Sequence, residues 1–277
     1  MTQEQDQAQL WNGPAAIGWV ELQEEMDRIL GPCGDRVLEA VPADAGRRVL
    51  DVGCGTGGMT VAAAQRMQGL GHVTGVDISQ PMIAAAQARA ARSNAPVEFL
   101  CADAAHYDFP AVAFDLILSR FGVMFFDDPV AAFANLLRSA SPSATLRFVA
   151  WRGMDDNPFM TTAERAAAGL LPNLAPRRTC APGQFAFAGQ DFVRRILIES
   201  GWRKIGIQAV DVPCAFPESS LERYFTTVGP VAMALKEADE TTRRNAIPEL
   251  RAAFHPFVDG ELVRFTAACW LVTAAAD

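Results

Sequence analysis

From Arg47 onward the chain alternates between short apolar runs and longer stretches with helical spacing. "RRVLDVG", "HVTGVDIS", "VEFLCAD", "FDLILSR" and "ATLRFVAW" are rich in Val, Ile, Leu and Phe and read as buried strands. Between them, "GGMTVAAAQRMQG", "QPMIAAAQARAARSN" and "PVAAFANLLRSA" read as helices. The second of these carries its own punctuation: Ser79 in the N-cap position, Pro81 in the first turn, and Asn94 to end it. Strands alternating with helices predict an α/β fold, a doubly wound and mostly parallel seven-stranded sheet. The rhythm breaks after Trp151, where a Pro- and Gly-rich excursion holds one amphipathic segment at 161–171. A helix ("GQDFVRRILIESG") and a strand ("KIGIQAVDV") follow. A largely helical excursion comes next, and "RFTAACWLVTAA" closes the sheet as an antiparallel last strand. Ahead of the first strand, "GPAAIGWVELQEEMDRIL" reads as an amphipathic helix. The expected organisation is one domain over 1–277, with an N-terminal helical arm at 11–45, the alternating half at 46–150, and helical cap insertions at 151–188 and 216–259.

Charge and composition narrow the classes. With 24 basic against 32 acidic residues, a formal −8 and no basic stripe, nucleic acid is not an expected partner. The N-terminal "MTQEQDQAQL" lacks the basic and apolar regions of a signal peptide, and no apolar stretch approaches the ~20 residues that span a bilayer. The six cysteines, at 33, 54, 101, 180, 214 and 269, form no CxxC pair and read as small buried hydrophobes, with no metal expected. The expectation is a cytoplasmic protein without membrane association.

The chemistry concentrates in "VLDVGCGTGGMT", Val49 to Thr60, where a strand ends in Asp51 and Gly53, Gly55, Gly57 and Gly58 follow. Glycine lets backbone approach a ligand closely, and the helix that follows offers free N–H groups to an anion. Gly53, Gly55 and Gly58 formally spell GxGxxG, so a dinucleotide is one reading, and Asp77 lies at the spacing from which a carboxylate binds ribose hydroxyls. Asp103, one strand further on, suits an adenine amino group, or else caps the turn that follows. Asp51 suits a ligand contact or a role in orienting the turn.

Four stretches in order, "VLDVGCGTGGMT", "VTGVDISQPMI", "FLCADAAHYDFP" and "FDLILSRFGVMFFDDP", resemble the class I S-adenosylmethionine-dependent methyltransferases, in the UbiE-like branch that acts on small molecules. The resemblance covers about 45–150. It implies that 46–150 is the cofactor-binding half and that S-adenosylmethionine is the cofactor. It also implies that Asp77 takes both ribose hydroxyls, that Asp103 accepts from the adenine amino group, and that Ala104 gives a backbone N–H to the ring. The cofactor-binding set expected on this basis is Asp51, Gly53, Gly55, Gly57, Asp77, Ile78, Met82, Asp103, Ala104 and Ser119.

Where the family's amino-directed DNA and glutamine enzymes carry Asn/Asp-Pro-Pro-Tyr, this chain reads "SRFG", which disfavours that chemistry. Candidate general bases are His255, in a cap insertion, and His106, with a solvated loop histidine as the plainer reading of the latter; His72 falls at the wrong end of the sheet. Phe121, Met124, Phe125, Phe126, Trp151, Phe159, Met160, Phe185 and Phe187 are divided between core and a lid over an apolar acceptor. Trp11 packs over the donor or staples its own helix. The expected activity is methyl transfer to a small, apolar or aromatic acceptor. An NAD(P)-dependent oxidoreductase and a non-catalytic S-adenosylmethionine-binding protein are the alternatives. The apolar insertions suit either a cap or a homodimer interface.

Overall fold

In the computed structural model, residues 7–41, 46–174 and 182–277 are described. Cys180, the last residues of the expected arm and 175–181 of the first insertion lie outside them.

The alternating half folds as the pattern indicates. β1 (Arg48–Val52), β2 (His72–Asp77), β3 (Val97–Cys101), β4 (Phe114–Arg120) and β5 (Ala140–Trp151) run parallel, with α4 (Gly58–Arg66), α5 (Gln80–Ser93) and α6 (Pro129–Ser139) between them. Ser79 caps α5, its side chain accepting from Met82 N, and Asn94 ends the helix in the left-handed region at φ 49°. Among the described residues the sheet order is β3-β2-β1-β4-β5-β8-β6, with a two-residue β7 (Val258–Asp259) beside β8. The last strand, β8 (Leu262–Ala275), is antiparallel and wedged between β5 and β6 (Arg203–Pro217).

Helices cover both faces. Neighbouring residues of a strand point to opposite sides. Arg147 of β5 reaches the Arg36 carbonyl in α3 (Gln23–Leu38), whereas Phe148 packs on Phe133 of α6. α3 and α4 therefore share one face, and α6 with α8 (Gln190–Glu199) covers the other, where Trp202 Nε1 donates to the Phe133 carbonyl.

Three elements differ from the sequence expectation. The N-terminal helix is broken into α1 (Gln7–Asn12), α2 (Pro14–Glu21) and α3, the chain leaving helical geometry at Leu22. It also continues well beyond Leu30, passing through Pro32. Met26, Ile29, Leu30, Cys33 and Val37 form one continuous buried stripe across that proline, and their packing outweighs the lost backbone bond. Finally, β6 and β8 are longer than expected and keep pairing past the carboxyl end of β5, from Asp211↔Ala268 out to Pro217↔Leu262. This ribbon stands above the carboxyl edge of the sheet. Against it pack α7 (Pro158–Ala167) and α9 (Leu221–Thr227), which in turn carry α10 (Pro230–Glu237) and α11 (Glu240–Ala253), around a cluster in which Phe159 stacks on Phe265 at 4.1 Å and meets Phe254, Phe257 and Tyr224.

At the point where β5 stops and the ribbon goes on, Asn157 takes the place of the missing strand. Its Nδ2 donates to the Ala268 and Gly153 carbonyls at 3.0 and 3.1 Å, and its Oδ1 accepts from Ala268 N at 2.9 Å, the two bonds to Ala268 being buried. Removing that amide leaves the buried Ala268 N–H without a partner, while the Ala268 and Gly153 carbonyls keep only Arg152 N and Asp156 N. Asn157→Ala is therefore expected to lower unfolding stability by about 2–3 kcal/mol in denaturant titration. Asn157→Asp restores an acceptor for Ala268 N but sets a buried negative charge against the two carbonyls, so it is expected to stay less stable than wild type.

Candidate functional site

The carboxyl ends of β1 and β4 meet backbone to backbone. A Cβ on Gly53 would sit 2.7 Å from Gly122 Cα, so neither position has room for a side chain. Ser119 secures the junction: its hydroxyl donates to the Val52 carbonyl at 2.8 Å and accepts from Gly122 N at 3.2 Å. Expected among the cofactor contacts, Ser119 is fully buried and its hydroxyl binds the two strand ends together. Its neighbour Arg120 turns beneath α3 toward Asp27, which also takes the Arg89 guanidinium.

The glycine turn then passes over β2. Gly53 N and Cys54 N both donate to the Val76 carbonyl. Gly55, at φ +54°, differs from its neighbours: a Cβ there would meet only Met82 Sδ at 3.8 Å and otherwise faces open space. That is the cradle a ligand backbone contact requires. Asp77 closes it from the next strand, with Oδ2 accepting from Gly55 N at 2.8 Å and Oδ1 from Ser79 N at 2.9 Å. Burial pushes its carboxyl above the usual range against the pull of these backbone donors. Each oxygen keeps a second lone pair for an incoming hydroxyl. Gly57 caps α4 in the left-handed region, and Ile78 and Met82 line the start of α5.

Asp51 lies beneath the turn, 1 % exposed. Thr60 Oγ1 donates to its Oδ2 at 2.7 Å, and its Oδ1 has no partner. Burial pushes this carboxyl up to about 6, with the Thr60 bond and the Arg120 charge pulling the other way. A buried carboxylate oxygen without a donor fits a site completed by a ligand carrying N–H groups.

Further along the edge, Asp103 accepts from Ala105 N at 2.9 Å and from His106 Nδ1 at 2.7 Å, so its carboxylate shapes its own turn. Ala104 is buried, and Asn135 of α6 pins its carbonyl at 2.9 Å. The two candidate bases lie in solvent. His106 is 81 % exposed and paired with Asp103, and His255 is exposed in the turn after α11. His72 is exposed beside Glu98. Of the aromatic candidates, Phe126 and Phe187 pack on Phe133 in the core of the α6 face. Phe121 stacks on Trp151, and Trp11 meets Phe125 edge-on at 5.1 Å.

The arm reaches this edge through a residue that carried no sequence signal. Asn12 Nδ2 donates to the Ile78 carbonyl at 3.1 Å, and its Oδ1 accepts from Gln80 N at 2.9 Å. On the other side of the arm, Gly18 packs on the Thr227 carbonyl, and Arg223 of α9 pairs with Glu25 and donates to the Glu21 carbonyl.

A glycine turn after β1, an acidic residue before it and another at the end of β2, on a sheet whose last strand runs antiparallel, define the Rossmann-like class I methyltransferases. Residues 49–143 match the family model described as a methyltransferase domain. Residues 49–143 thus carry a methyltransferase domain. Over 105 residues it is 36% identical to aklanonic acid methyltransferase DauC of Streptomyces sp. (strain C5), covering 38% of this chain and 48% of that protein. It is 35% identical over 116 residues to nocamycin O-methyltransferase of Saccharothrix syringae, covering 42% and 41% of the two chains. The chain thus spans less than half the length of these two relatives. A longer match, 28% identical over 199 residues, covers 67% of this chain and 81% of demethylmenaquinone methyltransferase from Renibacterium salmoninarum. In fold it is similar to an S-adenosylmethionine-dependent methyltransferase from Aquifex aeolicus, with a TM-score of 0.56 and 17% identity over 96% of this chain and 99% of that one.

Asp51 also makes the site sensitive to pH. Its carboxyl titrates near 6 in the folded chain and near 3.8 as a free group. Between those values the folded state holds the extra proton, so this group's contribution to stability is complete below about pH 4 and is lost as pH rises through about 6. The stability difference between wild type and Asp51→Asn, followed by thermal unfolding from pH 4 to 7, is expected to move against the wild type over that window and to level off above it.

Proposed function

We propose that the chain transfers a methyl group from S-adenosylmethionine to a small, apolar or aromatic acceptor. The observation that carries this reading is the cradle at Gly55, open where its neighbours are filled, with the Asp77 carboxylate beside it and the unpartnered Asp51 oxygen beneath. Asp77 would hold the ribose hydroxyls, Asp103 and Ala104 the adenine, and Asp51 the ammonium of the amino-acid end. The bound donor supplies an activated methyl carbon: that carbon bonds to the acceptor, the carbon–sulfur electron pair stays on sulfur, and an acceptor N–H or O–H releases its proton. The protein's part is to orient the acceptor and keep water away.

The acceptor class rests on the cap. We assign that role to the 11–45 arm with the insertions at 151–188 and 216–259, because α9 packs on α2 and the aromatic cluster stands on the ribbon above the carboxyl edge. The cap also holds a cavity of about 320 Å³ lined by Asp156, Pro158, Phe159, Phe257, Phe265 and Thr266, walls that suit a planar apolar body with one polar edge. The relatives named for aklanonic acid, nocamycin and demethylmenaquinone favour small-molecule acceptors. Among the described residues no helix is long and apolar enough to cross a membrane, which agrees with a cytoplasmic enzyme. A homodimer through the cap is the competing use of its apolar surface.

Calorimetry tests the donor. S-adenosylmethionine and S-adenosylhomocysteine are expected to bind, and a ligand at 100 times its dissociation constant adds about 2.7 kcal/mol to stability. Binding of NAD with neither adenosyl ligand would refute the assignment. Gly55→Val is expected to abolish binding by filling the cradle. Asp77→Ala should weaken both adenosyl ligands by about 2 kcal/mol or more, because it removes the ribose acceptor together with the partner of Gly55 N.

A further inference from the structure

Phe121 is a bulky aromatic residue in the left-handed backbone region, at φ +65°. Such a conformation is a genuine outlier for a large side chain, and strain of this kind gathers at functional sites. Three contacts hold it there. Phe121 N donates to the Val149 carbonyl at 3.1 Å, Gly122 N donates to Ser119 Oγ, and Gly122 is pressed against Gly53. The left-handed step turns the ring out of the β4 line and lays it flat on Trp151, with centroids 4.4 Å apart and planes at 4°. Both rings are buried at the carboxyl ends of adjacent strands, and Gly122, the residue after Phe121, packs against Gly53 at the start of the donor turn. An extended residue with an ordinary φ would not bring its ring into this stack, so the strain has a geometric product, a rigid two-ring platform at the junction of β1, β4 and β5.

A ring face carries partial negative charge and attracts a cation placed over it. Resting on the donor reading above, we propose that the Phe121–Trp151 stack positions the positively charged sulfonium end of S-adenosylmethionine. The same platform gives no such attraction to S-adenosylhomocysteine, whose sulfur is neutral, so it favours substrate over product. Phe121 is then a positioning and discriminating residue for the donor.

The test compares the two ligands on one protein. Calorimetry of wild type, Phe121→Leu and Phe121→Tyr with each ligand reads the ratio of their dissociation constants, and thermal unfolding checks that each variant folds. Leucine, which keeps the apolar bulk and lacks the ring face, is expected to weaken S-adenosylmethionine about two- to thirty-fold. S-adenosylhomocysteine should stay within about twofold, and tyrosine should keep the wild-type ratio. Trp151→Leu, which removes the second ring and leaves the Phe121 backbone untouched, should shift the ratio the same way and serves if Phe121→Leu does not fold. Equal weakening of both ligands, or an unchanged ratio, shows the stack to be structural packing and overturns the proposal. Wild type that binds neither ligand defeats the donor assignment itself, a result that cannot be mistaken for a changed ratio.

Discussion

The approach of Gly53 to Gly122 is the constraint around which this edge of the sheet is arranged. Two strand ends touch without side chains between them, and each surrounding feature accommodates that contact. Ser119 gives up its hydroxyl to hold the junction, and Phe121 accepts an unfavourable backbone so that the chain can pass. The turn from Gly53 is directed over Val76 toward Asp77. Glycine at both positions is thus required by packing between strands. At Gly55 it is the opposite condition, open space, that leaves room for a ligand.

The electrostatics follow the same division. Asp77 is buried yet supplied with two backbone donors, so its charge is organised before any ligand arrives. Asp51 is buried more deeply with a single hydroxyl donor and a distant guanidinium. One carboxylate is prepared and the other incomplete, which is the asymmetry expected where a ligand must bring part of the hydrogen bonding itself.

The alternating half was legible because its signals are local. Strands of β-branched and large apolar residues, the Ser79 cap and the Asn94 stop each lie within a few residues of what they control, and β4 begins and ends where its pattern does. The bonds that Ser119 makes across the junction were not legible, because a strand-terminal hydroxyl looks the same in sequence whether it meets a ligand or a neighbouring carbonyl. The histidines were uninformative for a related reason, since a loop position says nothing about which way the ring turns. Asn12, Asn157 and the Asp27–Arg89 pair could not be found at all, as their partners lie between 62 and 111 residues away. The run of α3 past Leu30 was not legible, because the cost of Pro32 is local whereas the buried stripe that overrides it is collective.

Asn157 has a consequence for how such a chain can change over time. Where β5 stops, the Asn157 amide bonds the backbone of Ala268 in β8, so the seam depends on the path of the later chain and not on the side chain at 268. Side chains in the helices between the seam and β8 can change while these backbone hydrogen bonds persist. The stretch that the family model matches closes at residue 143, just ahead of this seam.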